Sequence, residues 1–375
     1  MVRRYADFGL VHDSRAQLFA SDRNDRACGD GFADRGDVGA RRALVLSPCG
    51  DQGGARANGG AGIARRRNVS SAVGRCPMST STILCDNPAR TTTFSRFADF
   101  VELTKPRIAV LELACVAAAA LFAGPPTVGA LAATLVGVGL VAASASALNQ
   151  WLERRSDSLM PRTADRPLPG GRIAPRQVVV FGGVSLAIGL ATLILAVNVA
   201  TAVVSLATWA LYVCVYTPLK RRSVANTAVG AVAGALPVLM GWTCQDKPLD
   251  LEAAALFVVV FLWQLPHFMA IAWIYRKEYA AADLKMLPVV DASGRRAGAQ
   301  AVIAALAIIP VSLVPAWHLI EPVYFAGALV LGLGQLFYSV GFLVQRDDGS
   351  ARRLLRASLL YLPVLLALLL SVPFV

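Results

Sequence analysis

The stretch QVVVFGGVSLAIGLATLILAVNVATAVVSLATWALYVCVYTPL, from Gln177 to Leu219, contains no charged residue. A helix needs roughly 20 residues to cross a bilayer, so this run is long enough to cross twice. Leu113 to Leu152 is a second such run, and Ala357 to Val375 is a third with room for one crossing. The 375-residue chain is 56% hydrophobic, with a mean hydropathy of +0.56, more apolar surface than a soluble domain of this size needs. In lipid every backbone polar group must be satisfied internally, which helices do by themselves. The fold class that follows is all-α and polytopic.

Working outward from these runs, hydropathy predicts nine spans. They cover about 107–124, 127–149, 177–196, 199–216, 225–242, 252–275, 298–317, 322–344 and 356–374. Basic residues alternate by loop. Arg154, Arg155, Arg162, Arg166, Arg172 and Arg176 follow span two, and Lys220, Arg221 and Arg222 follow span four. Arg276, Lys277, Lys285, Arg295 and Arg296 follow span six, and Arg346, Arg352, Arg353 and Arg356 follow span eight. The intervening loops carry Lys247 alone. Lys and Arg resist translocation, so this alternation predicts a cytoplasmic N-terminus and a C-terminus outside, which requires an odd number of spans. The net charge of +12 then belongs to cytoplasmic loops in a plasma membrane, not to nucleic-acid binding.

Residues 1–77 differ from the rest, with 13 Arg and no Lys, 8 Asp and no Glu, and no hydrophobic period. Residues 1–94 read as a disordered, Arg-rich leader ahead of a membrane domain at 95–375; a translation start at Met78 fits equally. Eight Asp argue against a transit peptide. The seven cysteines form no C-x-x-C pair and read as free thiols.

Chemistry-capable residues gather at the basic loops. Asn149, Glu153 and Asp157 are four apart, drifting only about 40° per step, so they share one helix face. Three oxygen donors there can bind Mg²⁺, a hard cation, with Arg162 and Arg166 beside them to hold phosphate. The same pattern also fits a solvated helix end, but Asn149 lies inside the apolar boundary, where polar groups are costly. Tyr216-Thr-Pro218-Leu-Lys220 closes span four; Pro218 stops the helix and leaves Lys220 in the loop, suited to a phosphate or simply an inside lysine. Gly230 and Gly234 allow close helix packing. Span six carries His267, an ionisable group inside the membrane, with Trp263 before it. Glu278 follows 11 residues later, about 16 Å along if the helix continues, and Asp283 beyond it. His267 also reads as a hydrogen-bonded packing residue, and His318 as an interfacial one.

These motifs resemble the heme O synthases, a family of UbiA-type prenyltransferases. The resemblance rests on Leu103-Thr-Lys105-Pro-Arg107-Ile, on Asn149-x3-Glu153-x3-Asp157-x2-Met160-x-Arg162-Thr163, and on Trp263-Gln-Leu-Pro-His267-Phe with Tyr279 and Met286-Leu-Pro-Val. It covers residues from about 95 to 375. It implies a nine-helix bundle around a central cavity that joins farnesyl diphosphate to a vinyl group of heme B, with Mg²⁺ as cofactor. Asn149, Glu153 and Asp157 would hold the metal and diphosphate, assisted by Arg162 and Lys220. Glu278 and Asp283 would belong to a second acidic site. His267 and Trp263 are the candidate heme contacts, and Lys105 and Tyr216 join the binding set. The implied partners are the bilayer and either heme A synthase or terminal oxidase assembly. Glu153 and Glu278 stand where the family carries Asp, and Asp283 where it carries a small residue. A UbiA-type enzyme acting on a quinone precursor or chlorin is the nearest rival. A secondary transporter is the rival from another class, and carboxylates at one membrane face rather than the midplane argue against it.

Overall fold

The 30-residue helix Val128–Asp157 outruns its membrane crossing and carries the acidic motif out of the apolar layer without a break. Thr127 caps its start by accepting from the Ala130 amide at 3.2 Å. The computed structural model describes residues 93–317 and 321–371. Its helices are α1 (Thr93–Leu103), α2 (Pro106–Ala123), α3 (Val128–Asp157), α4 (Pro175–Ala196), α5 (Val199–Leu219), α6 (Asn226–Thr243), α7 (Leu251–Ile274), α8 (Arg276–Ala281), α9 (Arg295–Val311), α10 (Pro322–Gln345) and α11 (Asp348–Ser371).

Eight of these are long and apolar enough to cross a membrane. The fifth expected span forms where expected, as the 18-residue α6, but is not among the eight. It is rich in Gly and Ala, and most of it is buried inside the bundle rather than turned to lipid. α6 packs on α2, α5 and α7. α7 packs on α9 and α11, and α11 returns to α2.

Small residues set these distances. A Cβ on Gly241 would collide with the Val116 carbonyl on α2, and one on Gly234 with Gln264 on α7. The expected packing role of Gly230 and Gly234 therefore holds, and Gly230 seats the Tyr216 ring, which a Cβ would approach to 2.7 Å. At the bundle end away from the basic loops, Trp242, Tyr324 and Tyr361 are fully buried. Packing there leaves a void of about 10 Å³ between Cys115, Val238, Leu256 and Tyr324, about the room of one water.

Three sequence expectations change. α7 ends at Ile274, and Tyr275 (φ −99°, ψ 16°) separates it from α8, so Glu278 does not share one continuous helix with His267. α11 begins at Asp348, because Asp347 accepts from the Ser350 amide at 2.6 Å and starts the helix; Arg352, Arg353 and Arg356 are therefore helical rather than loop residues. α1 is a helix the hydropathy reading passed over. It buries Asp99 and Leu103 and leaves Phe97 exposed. Cys115, Cys214 and Cys244 are free, as expected. The leader to residue 92, with Cys28, Cys49, Cys76 and His12, lies outside the described residues, as does His318.

Candidate active site

Three loops at the basic end fold onto one another. The Lys285 amide donates to the Lys220 carbonyl at 2.7 Å, and Asn226 Nδ2 donates to the Lys285 carbonyl at 3.0 Å. Arg221 Nη2 reaches Ser156 Oγ at 2.8 Å. Met160 packs with Ala282, Leu284 and Tyr279. The stretches after α3, α5 and α7 thereby form one floor under the end of α3.

On that end of α3 the three expected residues each meet a different base or donor. Asn149 is 1% exposed. Its Oδ1 accepts from Lys105 Nζ at 2.9 Å, and its Nδ2 donates to Thr217 Oγ1 at 3.0 Å. Glu153 Oε1 lies 2.7 Å from Lys220 Nζ, in a pair whose side chains are 13% and 12% exposed. Asp157 Oδ2 accepts from Arg166 Nη1 at 2.7 Å. Arg166, not Arg162, thus pairs with the motif, while Arg162 lies over the Tyr275 ring at 5.0 Å. The Lys220 ammonium also sits over the Tyr216 ring at 4.5 Å.

Lys105 reaches Asn149 because α1 is anchored from outside. Arg172 bridges Asp99 at 2.7 Å and Glu102 at 2.9 Å, and Gln150 Nε2 donates to the Leu103 carbonyl at 2.8 Å. Lys105 itself turns in the left-handed region (φ 51°) before Pro106 starts α2. Burial lowers the Lys105 ammonium to about 7, and the Arg166 guanidinium pushes the same way. Burial also pulls on Lys220, but Glu153 outweighs it and holds that ammonium well above the ordinary lysine value. Tyr279 is raised by burial against the pull of Arg162 and Lys220, which places it at the same site.

The end of α5 is unwound into a π turn, Leu211–Tyr216. Pro218 cannot donate to the helix, and Thr217 bonds the Tyr212 carbonyl through its amide and, at 2.9 Å, its hydroxyl. Such bulges recur at functional sites. Here it leaves Thr217 free to accept from Asn149 and sets Tyr212 beside Tyr216, ring centroids 5.2 Å apart and tilted by 36°. Thr217 and Tyr212 carried no signal in the sequence beyond their nearness to Pro218.

Further into the bundle, Trp263 and His267 stack at 5.3 Å on one face of α7. Both are tied to Ser358 on α11. Trp263 Nε1 donates to its carbonyl at 2.6 Å, and His267 Nδ1 pairs with its hydroxyl at 2.9 Å. Gln264, part of the span-six motif but given no role in the sequence, donates to the Ala231 and Val260 carbonyls at 3.1 Å and locks α7 to α6.

Residues 111–364, more than half of the chain, match the UbiA prenyltransferase family. The chain belongs to that family. The protoheme IX farnesyltransferase of Solibacter usitatus (strain Ellin6076) is 42% identical to this UbiA family member over 284 residues, 72% of this chain and 97% of that protein. That of Myxococcus xanthus (strain DK1622) is 41% identical over 72% of this chain and 93% of its own length. Among solved structures, digeranylgeranylglyceryl phosphate synthase superposes with a TM-score of 0.63 at 13% identity, over 74% of this chain and 98% of that one. A UbiA homolog from Archaeoglobus fulgidus bound to DMAPP and Mg²⁺ does so with a TM-score of 0.55 at 19% identity, over 74% and 99%.

Among the described residues of this UbiA chain, no three His, Cys, Asp or Glu side chains converge closely enough to cage a metal. Mg²⁺ commonly takes only one or two carboxylates and completes its shell with phosphate oxygens and water. The residues present fit that mode. Glu278 Oε2 is buried with no hydrogen-bond partner, and Glu153 Oε1 has no partner beyond its ion pair with Lys220. Asp283 stands apart from the other candidates: its carboxylate is exposed, paired with Lys285 at 2.9 Å, and held below the usual aspartate range by that contact. The sharp turn at Asp283 (φ 53°) lies between α8 and Lys285, outside the buried floor.

Proposed function

We propose that the chain transfers the farnesyl group of farnesyl diphosphate to a vinyl group of heme B, giving heme O and diphosphate. The observation that carries this reading is the mouth at α3, where Lys105, Arg166 and Lys220 arrive from three separate segments at Asn149, Asp157 and Glu153. Convergent bases of that kind suit a diphosphate. The stacked Trp263 and His267 deeper in the bundle suit a flat tetrapyrrole. The activity named for the Solibacter and Myxococcus relatives points the same way.

Lys105, Arg166 and Lys220 bind the diphosphate oxygens, with Arg162 at the rim. Negative charge grows on the leaving group as the allylic C–O bond breaks, and bases already in place meet it without reorganising. Of Glu153, Asp157 and Glu278, one or two carboxylates at a time would hold Mg²⁺, with phosphate and water completing its shell, and the ion would supply Lewis-acid neutralisation of that charge. Asn149 positions Lys105 and Thr217 through the two ends of its amide. The tightly packed far half of the bundle keeps water from the allylic cation until it meets the electron-rich vinyl group. Bond formation leaves positive charge on the vinyl carbon next to the porphyrin, and water captures it as the hydroxyl. The ring nitrogen His267 Nδ1 is taken by Ser358, which leaves Nε2 as the ring nitrogen available to a tetrapyrrole.

The basic loops face the cytoplasm of a bacterial plasma membrane, with the N-terminus inside and the C-terminus outside, and the product passes to heme A synthase or terminal oxidase assembly. The test is heme extraction from a heterologous host expressing the chain, read by mass spectrometry. A heme O mass dependent on the chain supports the proposal. A prenylated quinone precursor with unchanged heme would replace it with the rival reading.

A further inference from the structure

Glu112 lies six residues into α2, in an apolar helix, and neither the diphosphate site nor the heme wall uses it. Its position repeats at Val116, Ala119 and Ala123, four, seven and eleven residues on, which share one helix face. All three are buried, and Gly241 of α6 lies against the Val116 carbonyl, so this face looks into the bundle. Glu112 itself is only partly covered, as a residue bordering open space would be. No hydrogen bond or ion pair joins it to another described residue. A carboxylate is costly inside a membrane helix and marks function by default.

Its neighbours say which function. Lys105, the N-cap of the same helix, lies seven residues earlier and donates to Asn149, so the diphosphate mouth is about two helical turns, or roughly 10 Å, from Glu112. Cys115, three residues further along the same helix, packs in the same apolar cluster as Trp263. Glu112 therefore sits between the leaving-group end and the aromatic wall, where farnesyl and vinyl carbons meet under the function proposed above, on which this inference rests.

We infer that Glu112 is the general base for the water that captures the cation on the heme vinyl carbon. The water oxygen forms the new C–O bond, its O–H bond breaks, and the proton passes to the Glu112 carboxylate and then to solvent through the mouth. Without that base the same cation sheds a proton from the adjacent carbon, a C=C bond forms, and the product is lighter by one water.

The experiment compares wild type, Glu112→Gln and Glu112→Asp in membranes supplied with heme B, farnesyl diphosphate and Mg²⁺, measuring diphosphate release and the masses of the prenylated hemes. Glu112→Gln is expected to release diphosphate while the ratio of hydroxylated to dehydrated product falls about a hundredfold, the scale of general-base catalysis. Glu112→Asp is expected to restore much of the ratio. A wild-type ratio from Glu112→Gln overturns the inference. Loss of diphosphate release in Glu112→Gln also overturns it, by placing the residue in ionisation or in the fold. Absence of any farnesylated heme from wild type would instead remove the function reading and this inference with it.

Discussion

At the mouth, three side chains of one helix are each met by a group from elsewhere: Asn149 by Lys105, Glu153 by Lys220 and Asp157 by Arg166. Along α7, two aromatic side chains instead share one small residue, Ser358. The mouth is held by two ion pairs and one hydrogen bond from an ammonium, whose charged members an incoming anion and cation can exchange partners with. The wall is held by shape and by neutral hydrogen bonds. Removing one partner of a buried charge pair leaves the other uncompensated, whereas trimming a neutral bond costs about 1 kcal/mol. The two regions should therefore fail differently when altered.

The largest effect is expected from Asp157→Asn. It removes one charge but keeps an acceptor for Arg166, so transfer should fall about a thousandfold, near 4 kcal/mol in barrier, with membrane insertion intact. Near-normal heme O from this variant would break the comparison at its stronger end. Gly234→Ala comes next. The added methyl meets Gln264 and forces α6 from α7, which should cost about 1–3 kcal/mol in thermal unfolding of the detergent-solubilised protein. An unchanged melting temperature would show that the wall is not set by close packing. Ser358→Ala releases His267 Nδ1 but leaves the Trp263 bond to the backbone carbonyl. The KM for heme should rise about tenfold, or 1.4 kcal/mol, with that for farnesyl diphosphate unchanged. Equal changes in both would merge the two regions. Smallest of all is Asp348→Asn, which breaks a half-exposed pair with Arg276 and should move stability by less than about 1 kcal/mol in the same unfolding assay.

Helix positions were legible because uncharged runs and their lengths are local properties of the chain. So was the shared face of Asn149, Glu153 and Asp157, since their helix continues through Asp157. The separation of α7 from α8 was not, because Tyr275 carries no breaking residue type; the chain turns there as the loop folds back on Met160 and Lys220. α1 escaped notice for a related reason: it is short, and it is anchored by Arg172, some 70 residues away.

From residue order alone came the apolar helices, the basic ends and the donors available for a metal and a diphosphate, all matters of composition and a period of about 3.6 residues. Only the tertiary structure chose partners: Arg166 over Arg162 for Asp157, Lys105 for Asn149 across 44 residues, and Ser358 for Trp263 across 95. Spacing governs which side chains share a face of one helix. Which face meets which is decided by how glycines such as Gly234 and Gly241 let the helices approach, and no local pattern carries that information.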